Sequence, residues 1–274
     1  LKFMNNFVIS LSNAAQRRAH ICSEFAKEEV DFEFFDAITP ATLQTAALTL
    51  GLDASRTDLH QNEVACLLSH VMLWKRAVDE KIDYIAIFED DIYLGQQAFA
   101  FLMDSAWIPP TCNIIKLETL HKKILLPKNQ SIFPLPFNRK LMLLGEAHMG
   151  AGGYVLSLDA AKKLLQFVLQ LPKLIPIDHI LFREYPESAD DKVYQLSPAI
   201  CIQDVILTKG KTNFPSSLES VRNERKGEDK TKKKLNLLGK LKREMSRLVL
   251  QLLVFAQDQI QSLRGKSFIK IKFK

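Results

Sequence analysis

The feature that most constrains the fold is a continuous apolar run at residues 84–88, Tyr-Ile-Ala-Ile-Phe. Three acidic residues follow it directly. A strand that is apolar at every position is typical of a parallel sheet that helices cover on both faces. A similar run occupies residues 113–117. The two runs therefore predict central strands of a layered α/β domain.

Further apolar runs and helical repeats alternate along the chain. Strands are predicted at 6–11, 32–37, 154–158, 193–196 and 199–202, and helices at 13–30, 40–50, 61–79, 159–169 and 176–182. Residues 122–144, which include three prolines, predict loops or a small hairpin. The alternation predicts an α/β, Rossmann-like fold with a mostly parallel central sheet.

The three carboxylates, Glu89, Asp90 and Asp91, begin where the apolar run ends. Ligands of open α/β sheets bind beyond the carboxyl ends of the strands, so the position and the charge point to one site. Clustered carboxylates repel one another unless a cation lies among them, and hard cations such as Mn²⁺ or Mg²⁺ prefer oxygen ligands. The alternative interpretation is an acidic, solvated turn.

Charge is distributed unevenly along the chain. Residues 217–274 hold 16 Lys or Arg against 6 Asp or Glu, although the whole chain has a net charge of only +6. The preceding residues are therefore net acidic, and the basic tail is expected to meet an anionic partner. We predict two units, a catalytic domain at 4–216 and a basic helical tail at 217–274.

An amphipathic helix is predicted inside this tail, because apolar residues recur there at intervals of three and four. They are Leu238, Leu241, Met245, Leu248, Leu252 and Phe255. Three partners remain open: an anionic membrane surface contacted by residues 235–274, the body or a second copy of the chain in a homodimer, and nucleic acid. The membrane is the interpretation that we adopt, and nucleic acid is the one that we reject.

Four cysteines, Cys22, Cys66, Cys112 and Cys201, are widely spaced and form no CxxC pair. This pattern predicts buried thiols in a reducing compartment rather than a disulfide framework or a structural metal. The chain also has no run of 18 apolar residues and no secretory signal pattern at its start. We therefore expect a cytoplasmic protein.

Five segments, in order, resemble glycosyltransferase family 25, which contains bacterial lipooligosaccharide galactosyl- and glucosyltransferases. They are Phe-Val-Ile-Ser-Leu-Ser at 7–12 with Arg17-Arg18 behind it, Phe-Phe-Asp-Ala at 34–37, Asn-Glu-Val-Ala-Cys-Leu-Leu-Ser-His at 62–70, Ile-Phe-Glu-Asp-Asp at 87–91, and Ala-Gly-Gly-Tyr-Val-Leu-Ser at 151–157. The resemblance extends from about residue 5 to about residue 204 and does not include the basic tail.

The resemblance implies a fold of the GT-A type, a nucleotide-sugar donor and an inverting transfer to a sugar hydroxyl. It implies UDP-galactose as the first candidate donor, UDP-glucose as the second, and outer-core lipooligosaccharide as the acceptor. Such an acceptor is anchored in the cytoplasmic leaflet of the bacterial inner membrane, which agrees with the basic tail. We therefore expect a β-galactosyltransferase held at that surface.

Donor-binding roles follow from the same resemblance. Glu89, Asp90 and Asp91 match the acidic motif that serves as the DxD of GT-A enzymes. The other donor-binding candidates are Ser10, Leu11, Arg17, Arg18, Ser69, His70, Gly152 and Gly153. Several have ordinary structural alternatives, since two arginines on a helix are usually solvated, a helical histidine is usually packed, and paired glycines often form a tight turn.

The catalytic candidates are Asp91 and Asp178. The candidate ligands for Mn²⁺ or Mg²⁺ are Asp91, Glu89 and His179. Asp178 is the candidate base that takes the acceptor proton, and Glu146, His148 and His179 are its alternatives. A carboxylate at a helix start also has a purely structural explanation in the helix dipole.

Two other functional classes compete with the transferase. Carboxylates after a buried strand also hold Mg²⁺ in phosphohydrolases, although those enzymes typically place an Asp nucleophile where this chain has Glu89. A basic-tailed adaptor that binds a membrane or nucleic acid is the non-enzymatic alternative. Turnover of a nucleotide sugar separates the transferase from both.

Overall fold

The computed structural model describes residues 3–120, 123–126, 132–189, 191–214 and 267–274. The strands are β1 (Asn5–Ser10), β2 (Glu33–Asp36), β3 (Tyr84–Glu89), β4 (Ile92–Leu94), β5 (Ile114–Lys116), β6 (Lys123–Leu126), β7 (Ile132–Leu135), β8 (Arg139–Leu143), β9 (Gly153–Ser157), β10 (Val193–Ser197), β11 (Cys201–Gln203) and β12 (Ser267–Lys270). The helices are α1 (Ala15–Lys27), α2 (Leu43–Leu50), α3 (Gln61–Asp79), α4 (Phe99–Leu102), α5 (Leu158–Gln170), α6 (Ile177–His179), α7 (Tyr185–Ser188) and α8 (Asp204–Leu207), with a π-helical turn at Ile180–Glu184.

Within these residues, the central sheet has eight strands in the order β2-β1-β3-β9-β5-β10-β8-β7. The pairs β2–β1, β1–β3 and β5–β10 are parallel, whereas β9 and β8 are antiparallel to both of their neighbours. All strands of this sheet except β9 and β8 therefore run in one direction. The predicted α/β fold is confirmed, and the sheet is mixed but mostly parallel.

The apolar run predicted as a buried strand is β3, and its residues alternate between two core layers. Ile85 and Ile87 pack in one layer with Trp74 of α3, while Phe88 packs in the other with Phe25 of α1. All five side chains are fully buried. Helices on both faces thus explain why this strand carries no polar position before Glu89.

Local sequence signals set the start of the longest helix, α3. His60 occupies its N-cap, where Nδ1 accepts a hydrogen bond from the Asn62 amide at 3.2 Å. The Glu63 carboxylate accepts the His60 amide at 3.0 Å, which completes a capping box. Glu63, which belongs to one of the motifs, therefore has a structural role at this helix end.

The small hairpin that was one of the two possibilities for residues 122–144 is confirmed, whereas the helix predicted at 176–182 needs correction. The region at 122–144 contains β6, β7 and β8, and β7–β8 is a hairpin at the sheet edge whose turn includes Phe137 and Asn138 at positive φ. The helix predicted at 176–182 is broken into α6 and a π-helical turn, which continues into α7. Pro186 lies in α7 and lacks the amide hydrogen that a regular helix would use.

The C-terminal end differs from the predicted helical tail. Residues 267–270 form β12, which pairs antiparallel with β6, and Ile271 is buried against the body. The buried Arg139 guanidinium donates to the Lys274 carbonyl at 2.9 Å. The last residues therefore belong to the body, whereas the predicted amphipathic helix lies outside the described residues.

We predict that this C-terminal contact contributes to stability. Ile271→Ala should lower the free energy of unfolding by about 2–5 kcal/mol, because it removes a buried side chain from the small core between β6, β8 and the C-terminus. Lys272→Ala, at the exposed neighbouring position, is the matched control and should change it by less than about 0.5 kcal/mol. Urea denaturation measures both, and equal effects would show that the contact is not formed.

The cysteines follow the prediction only in part. Cys112 and Cys201 are buried, but Cys22 is exposed and Cys66 is half-buried; none of the four forms a disulfide. Cys22 lies on α1, away from the residues that this helix buries, Ile21 and Phe25. Among the described residues, no helix combines the length and the apolar character that crossing a membrane requires.

Candidate active site

The acidic motif lies at the carboxyl end of β3, in the turn that leads to β4. Glu89 is the last residue of β3, and its amide donates a hydrogen bond to the Gly152 carbonyl at 3.1 Å. β1 lies beside β3 in parallel register, so Ser10 ends at the same edge of the sheet. Residues from distant parts of the sequence therefore converge on this edge, as expected for an α/β sheet.

Asp90 is held by two partners. Its carboxylate accepts a hydrogen bond from the Ser10 hydroxyl at 2.7 Å and forms an ion pair with Arg17. The Arg17 guanidinium also donates to the Phe214 carbonyl at 2.8 Å. Asp90 thus holds a guanidinium, a good phosphate-binding group, at the edge of the cluster.

Arg18 behaves differently from its neighbour. It pairs with the exposed Asp36 and donates to the Leu11 carbonyl at 3.1 Å and the Ser10 carbonyl at 3.2 Å. These bonds use carbonyl groups at the end of β1. In the structure Arg18 therefore braces this strand end, while Arg17 reaches the acidic motif.

Glu89 and Asp91 form the electrostatically unfavourable part of the site. Burial, reinforced by the neighbouring Glu118, raises the pKa of Glu89 to about 7. Burial and the charge of Glu89 raise the pKa of Asp91 to about 7 as well. The Gln203 side-chain amide donates to Glu89 at 2.6 Å and more weakly to Asp91 at 3.4 Å. A divalent cation would relieve the remaining repulsion, so these two oxygen donors fit Mn²⁺ or Mg²⁺.

Three buried aromatic side chains, those of His70, Trp74 and Tyr154, lie behind Glu89. His70 Nδ1 and Trp74 Nε1 each lie 2.9 Å from the Tyr154 hydroxyl oxygen. His70 Nε2 has no hydrogen-bond partner and lies 3.9 Å from a carboxylate oxygen of Glu89. Burial lowers the pKa of His70 to about 3, so the imidazole is neutral.

A further acidic side chain, Glu118, lies beside the motif and is fully buried. It pairs with the buried Lys116, whose ammonium lies 2.6 Å from one carboxylate oxygen and also donates to the carbonyls of Met149, at 2.8 Å, and Gly150. The Gly152 amide donates to the same Glu118 oxygen at 3.1 Å. This ion pair fastens the 149–152 segment to the end of β5.

Asp178 approaches the cluster from α6. Its oxygens accept hydrogen bonds from the Gly150 amide at 3.2 Å and the His179 amide at 3.0 Å. Its negative charge acts on both Glu89 and His70. Since each carboxylate oxygen has a second lone pair, Asp178 can still accept a proton.

Residues 3–181 match glycosyltransferase family 25, described as an LPS biosynthesis protein family. This match spans more than half of the chain. The chain belongs to glycosyltransferase family 25. The predicted resemblance is thereby confirmed, and the chain is identified as a glycosyltransferase.

Relatives of this family-25 chain cover nearly its whole length. A putative glycosyltransferase of Haemophilus influenzae is 35% identical, over 90% of this chain and 86% of its own length. The lipooligosaccharide biosynthesis protein lex-1 of the same species is 30% identical, over 97% and 98%. The lacto-N-neotetraose biosynthesis glycosyltransferase LgtE of Neisseria meningitidis is 33% identical, over 89% and 90%.

The structure brings most of the predicted site residues of this family-25 chain to one place. Those at or beside the cluster are Ser10, Arg17, His70, Glu89, Asp90, Asp91, Gly152 and Asp178. Their catalytic and binding roles stay predictions.

Three of the predicted donor-binding residues also make structural contacts, and their donor-binding roles stay predictions. Ser69 is fully buried, and its hydroxyl donates to the Ala65 carbonyl and accepts the Ile38 amide. A Cβ on Gly153 would lie 2.3 Å from Cys201 Sγ, so this glycine permits close packing of β9. Arg18 braces the end of β1, as described above.

The side chains whose potential metal-binding atoms lie close together are not the three that the sequence predicts as metal ligands. In the described ranges, the one group of three whose donor atoms lie within 4.8 Å of one another is Cys66, His70 and Glu89. Asp91 and His179 are not part of it. The prediction that Glu89, Asp91 and His179 bind a metal therefore stays a prediction.

Sequence reasoning missed Lys116, Glu118 and Gln203. One signal for the first two was available: Lys116 interrupts an apolar run, and Glu118 closes it as Glu89 closes β3. A lysine at a buried strand position requires an anionic partner nearby. Gln203 gave no local signal, because β11 reaches the site only through its pairing with β4.

Proposed function

We propose that the chain is an inverting glycosyltransferase that moves a hexose from a UDP-sugar to a sugar hydroxyl of outer-core lipooligosaccharide. Galactose is the first candidate, which would make the chain a β-galactosyltransferase, and glucose is the second. The observation that carries this proposal is the acidic cluster at the end of β3, in which Asp90 is buried and Glu89 and Asp91 are half-buried, with Arg17 beside it. Family membership and the relatives named for lipooligosaccharide and lacto-N-neotetraose biosynthesis support it.

The donor would lie across the carboxyl ends of β1 and β3, as in the GT-A type of fold. Uracil would pair with backbone groups near Ser10 and Leu11, and Arg17 would neutralise a phosphate. Mn²⁺ or Mg²⁺ held by Glu89 and Asp91 would stabilise the charge of the UDP leaving group. The donor sugar would then lie toward Gly152 and Asp178.

Asp178 is the proposed base in a single displacement. It would take the proton of the acceptor hydroxyl as that oxygen bonds to the anomeric carbon, and the bond from this carbon to UDP would break with its electron pair on the phosphate. Attack opposite to the leaving group inverts the configuration. A positioned base of this kind contributes about 10²- to 10⁴-fold to the rate.

Equilibrium binding tests the donor part of this proposal. Titration calorimetry with UDP, CMP and ADP, in the presence of Mn²⁺ and again in EDTA, should show preferential UDP binding by the purified chain. Preference for a different nucleotide would overturn the assignment of a UDP-sugar. UDP binding in EDTA equal to that in Mn²⁺ would remove the metal from the donor site but would not remove the transferase.

We propose that the basic tail, through residues 235–274, holds the enzyme on the cytoplasmic face of the bacterial inner membrane, where the acceptor is anchored. Its abundant Lys and Arg residues support this placement, since each near an anionic leaflet contributes about 1 kcal/mol. A homodimer formed through the same segment is the other proposed use. Family membership favours the transferase over a phosphohydrolase or an adaptor.

Charge reversal is a better test of membrane binding than truncation, because truncation would also remove β12. The triple variant Lys240→Glu, Lys242→Glu and Arg243→Glu should bind phosphatidylglycerol vesicles at least about 100-fold more weakly. The reason is that each basic residue contributes about 1 kcal/mol of binding free energy at an anionic surface. Turnover on a soluble acceptor should be unchanged. Reversal of Lys27, Lys162 and Lys192, which are exposed on the body, is the control. Equal losses for the two triple variants in vesicle sedimentation would contradict the proposal.

A further inference from the structure

We propose that Cys66, His70 and Glu89 form a binding site for a zinc-type divalent cation, distinct from the set of Glu89, Asp91 and His179 predicted above. The donor atoms of the three side chains lie within 4.8 Å of one another. His70 Nε2 lies 3.9 Å from a Glu89 carboxylate oxygen. Glu89 belongs to both candidate sets, but the inference depends on this geometry and its test does not require sugar transfer.

The helix and the strand together place the three ligands. Cys66 and His70 are four residues apart on α3, so their side chains lie on the same helix face. α3 packs against β3, and Glu89 is the last residue of that strand. Two ligands come from one helical turn and the third from the end of an adjacent strand. The fold therefore positions all three before an ion binds.

The unpartnered nitrogen of His70 is the independent observation that points to a cation. This side chain is fully buried, and its Nε2 atom has no hydrogen-bond partner. A buried polar atom without a partner destabilises the folded protein, and coordination of a cation by its lone pair would remove that cost. Glu89 Oε1 lies 3.9 Å from His70 Nε2, which is too far for a hydrogen bond but close enough for both atoms to bind one ion.

The surroundings of His70 suit a metal ligand. With a cation on Nε2, the Nδ1 atom carries the proton and donates it to the Tyr154 hydroxyl oxygen 2.9 Å away. Trp74 donates to the same oxygen and holds the Tyr154 ring in place. Such a partner on the second ring nitrogen is the usual support of a metal-bound histidine.

The chemistry of the donor set selects the ion. Thiolate, imidazole and carboxylate are the ligands of Zn²⁺, with bonds of about 2.0–2.3 Å, whereas Mg²⁺ and Mn²⁺ prefer oxygen donors. Three protein ligands leave the fourth tetrahedral position open to water or to another small ligand. Cys66 is half-buried and not fully enclosed, which gives an ion access from solvent.

Cobalt(II) is the probe for this site, because a thiolate bound to Co²⁺ produces a charge-transfer band in the near ultraviolet. Co²⁺ titrated into the reduced, EDTA-treated and desalted full chain should produce this band with a stoichiometry of one, and one equivalent of Zn²⁺ should abolish it. Cys66→Ser should lose the band. Cys22→Ser, which removes an exposed cysteine on α1, is the matched control and should retain it.

Glu89→Gln provides the second test, since it leaves the thiol in place. The band should still form, with a Kd for Co²⁺ at least about 10-fold higher than that of the unsubstituted chain. Circular dichroism spectra establish that each variant is folded. Absence of the band in the unsubstituted chain, its persistence in Cys66→Ser, or an unchanged Kd in Glu89→Gln would each overturn the proposal.

Discussion

Asp91→Asn is expected to lower turnover by at least about 100-fold while making the protein more stable at pH 8. The loss of turnover follows because electrostatic stabilisation of a leaving group is usually the largest catalytic contribution. The gain in stability follows because burial and the charge of Glu89 raise the pKa of Asp91 to about 7. Sugar transfer and thermal melting, both measured on the same preparation, test the two effects.

The sign of the stability effect depends on pH. When a carboxyl group has a higher pKa in the folded protein than in the unfolded chain, the free energy of unfolding of the protein falls as the pH rises from the unfolded pKa to the folded pKa. Asparagine does not titrate, so the advantage of Asp91→Asn in melting temperature should grow from about pH 4 to about pH 7 and then level off. The melts are made in EDTA, so that no bound cation compensates the charge.

Asp90→Asn is the matched control, because the neighbouring carboxylate has favourable partners. It accepts the Ser10 hydroxyl and pairs with Arg17, so its loss should cost about 1.5–3 kcal/mol of stability. The two adjacent substitutions should therefore shift the melting temperature in opposite directions. Near-normal transfer by Asp91→Asn would remove Asp91 from the site, and a lower melting temperature at pH 8 would contradict the electrostatic account.

Asp178→Asn is expected to lower transfer by about 10²- to 10⁴-fold with UDP affinity retained. The reason is that a general base acts on the acceptor hydroxyl and not on the nucleotide. Asparagine preserves the shape of the side chain but has one oxygen that can accept hydrogen bonds, where aspartate has two. One of the hydrogen bonds from the Gly150 and His179 amides is therefore weakened. Steady-state kinetics and UDP titration, with a melt to confirm folding, separate these effects.

Asp178→Glu gives a second, independent comparison. It keeps the carboxylate but displaces it by one methylene, so transfer should recover part of the activity that Asp178→Asn loses. Loss of UDP binding in Asp178→Asn would instead assign this residue to the metal or sugar pocket. Unchanged transfer in both variants would exclude Asp178 as the base.

The fold was predictable where local pattern and burial coincide. β3 is apolar at each position before Glu89 because helices cover both of its faces, so its sequence carried the information directly. The same holds for α3, whose apolar spacing and capping residues define one helix. β12 was not predictable, because its partner β6 is far away in sequence. The alternation of Lys with Phe and Ile at residues 266–274 also suited a basic tail.

The candidate site was predictable as a place and less so as a set of side chains. Glu89, Asp90 and Asp91 end a buried strand, which identifies the edge of the sheet where ligands bind. The difference in environment between Asp90 and Asp91 depends on Arg17, Ser10 and Gln203, which the chain assembles only in three dimensions. Ser69 was a candidate because it lies in the segment at 62–70 that resembles the family; the structure adds that its hydroxyl bonds to backbone groups, and its donor-binding role stays a prediction.

The most direct test of the central claim is UDP release from a panel of UDP-sugars, with and without a lactose- or glucose-terminated acceptor. The account predicts acceptor-dependent release of UDP from UDP-galactose, or from UDP-glucose as the second candidate, and its loss in Asp91→Asn. No acceptor-dependent release from any donor on any acceptor of the panel, by a folded chain that binds UDP, would contradict the account.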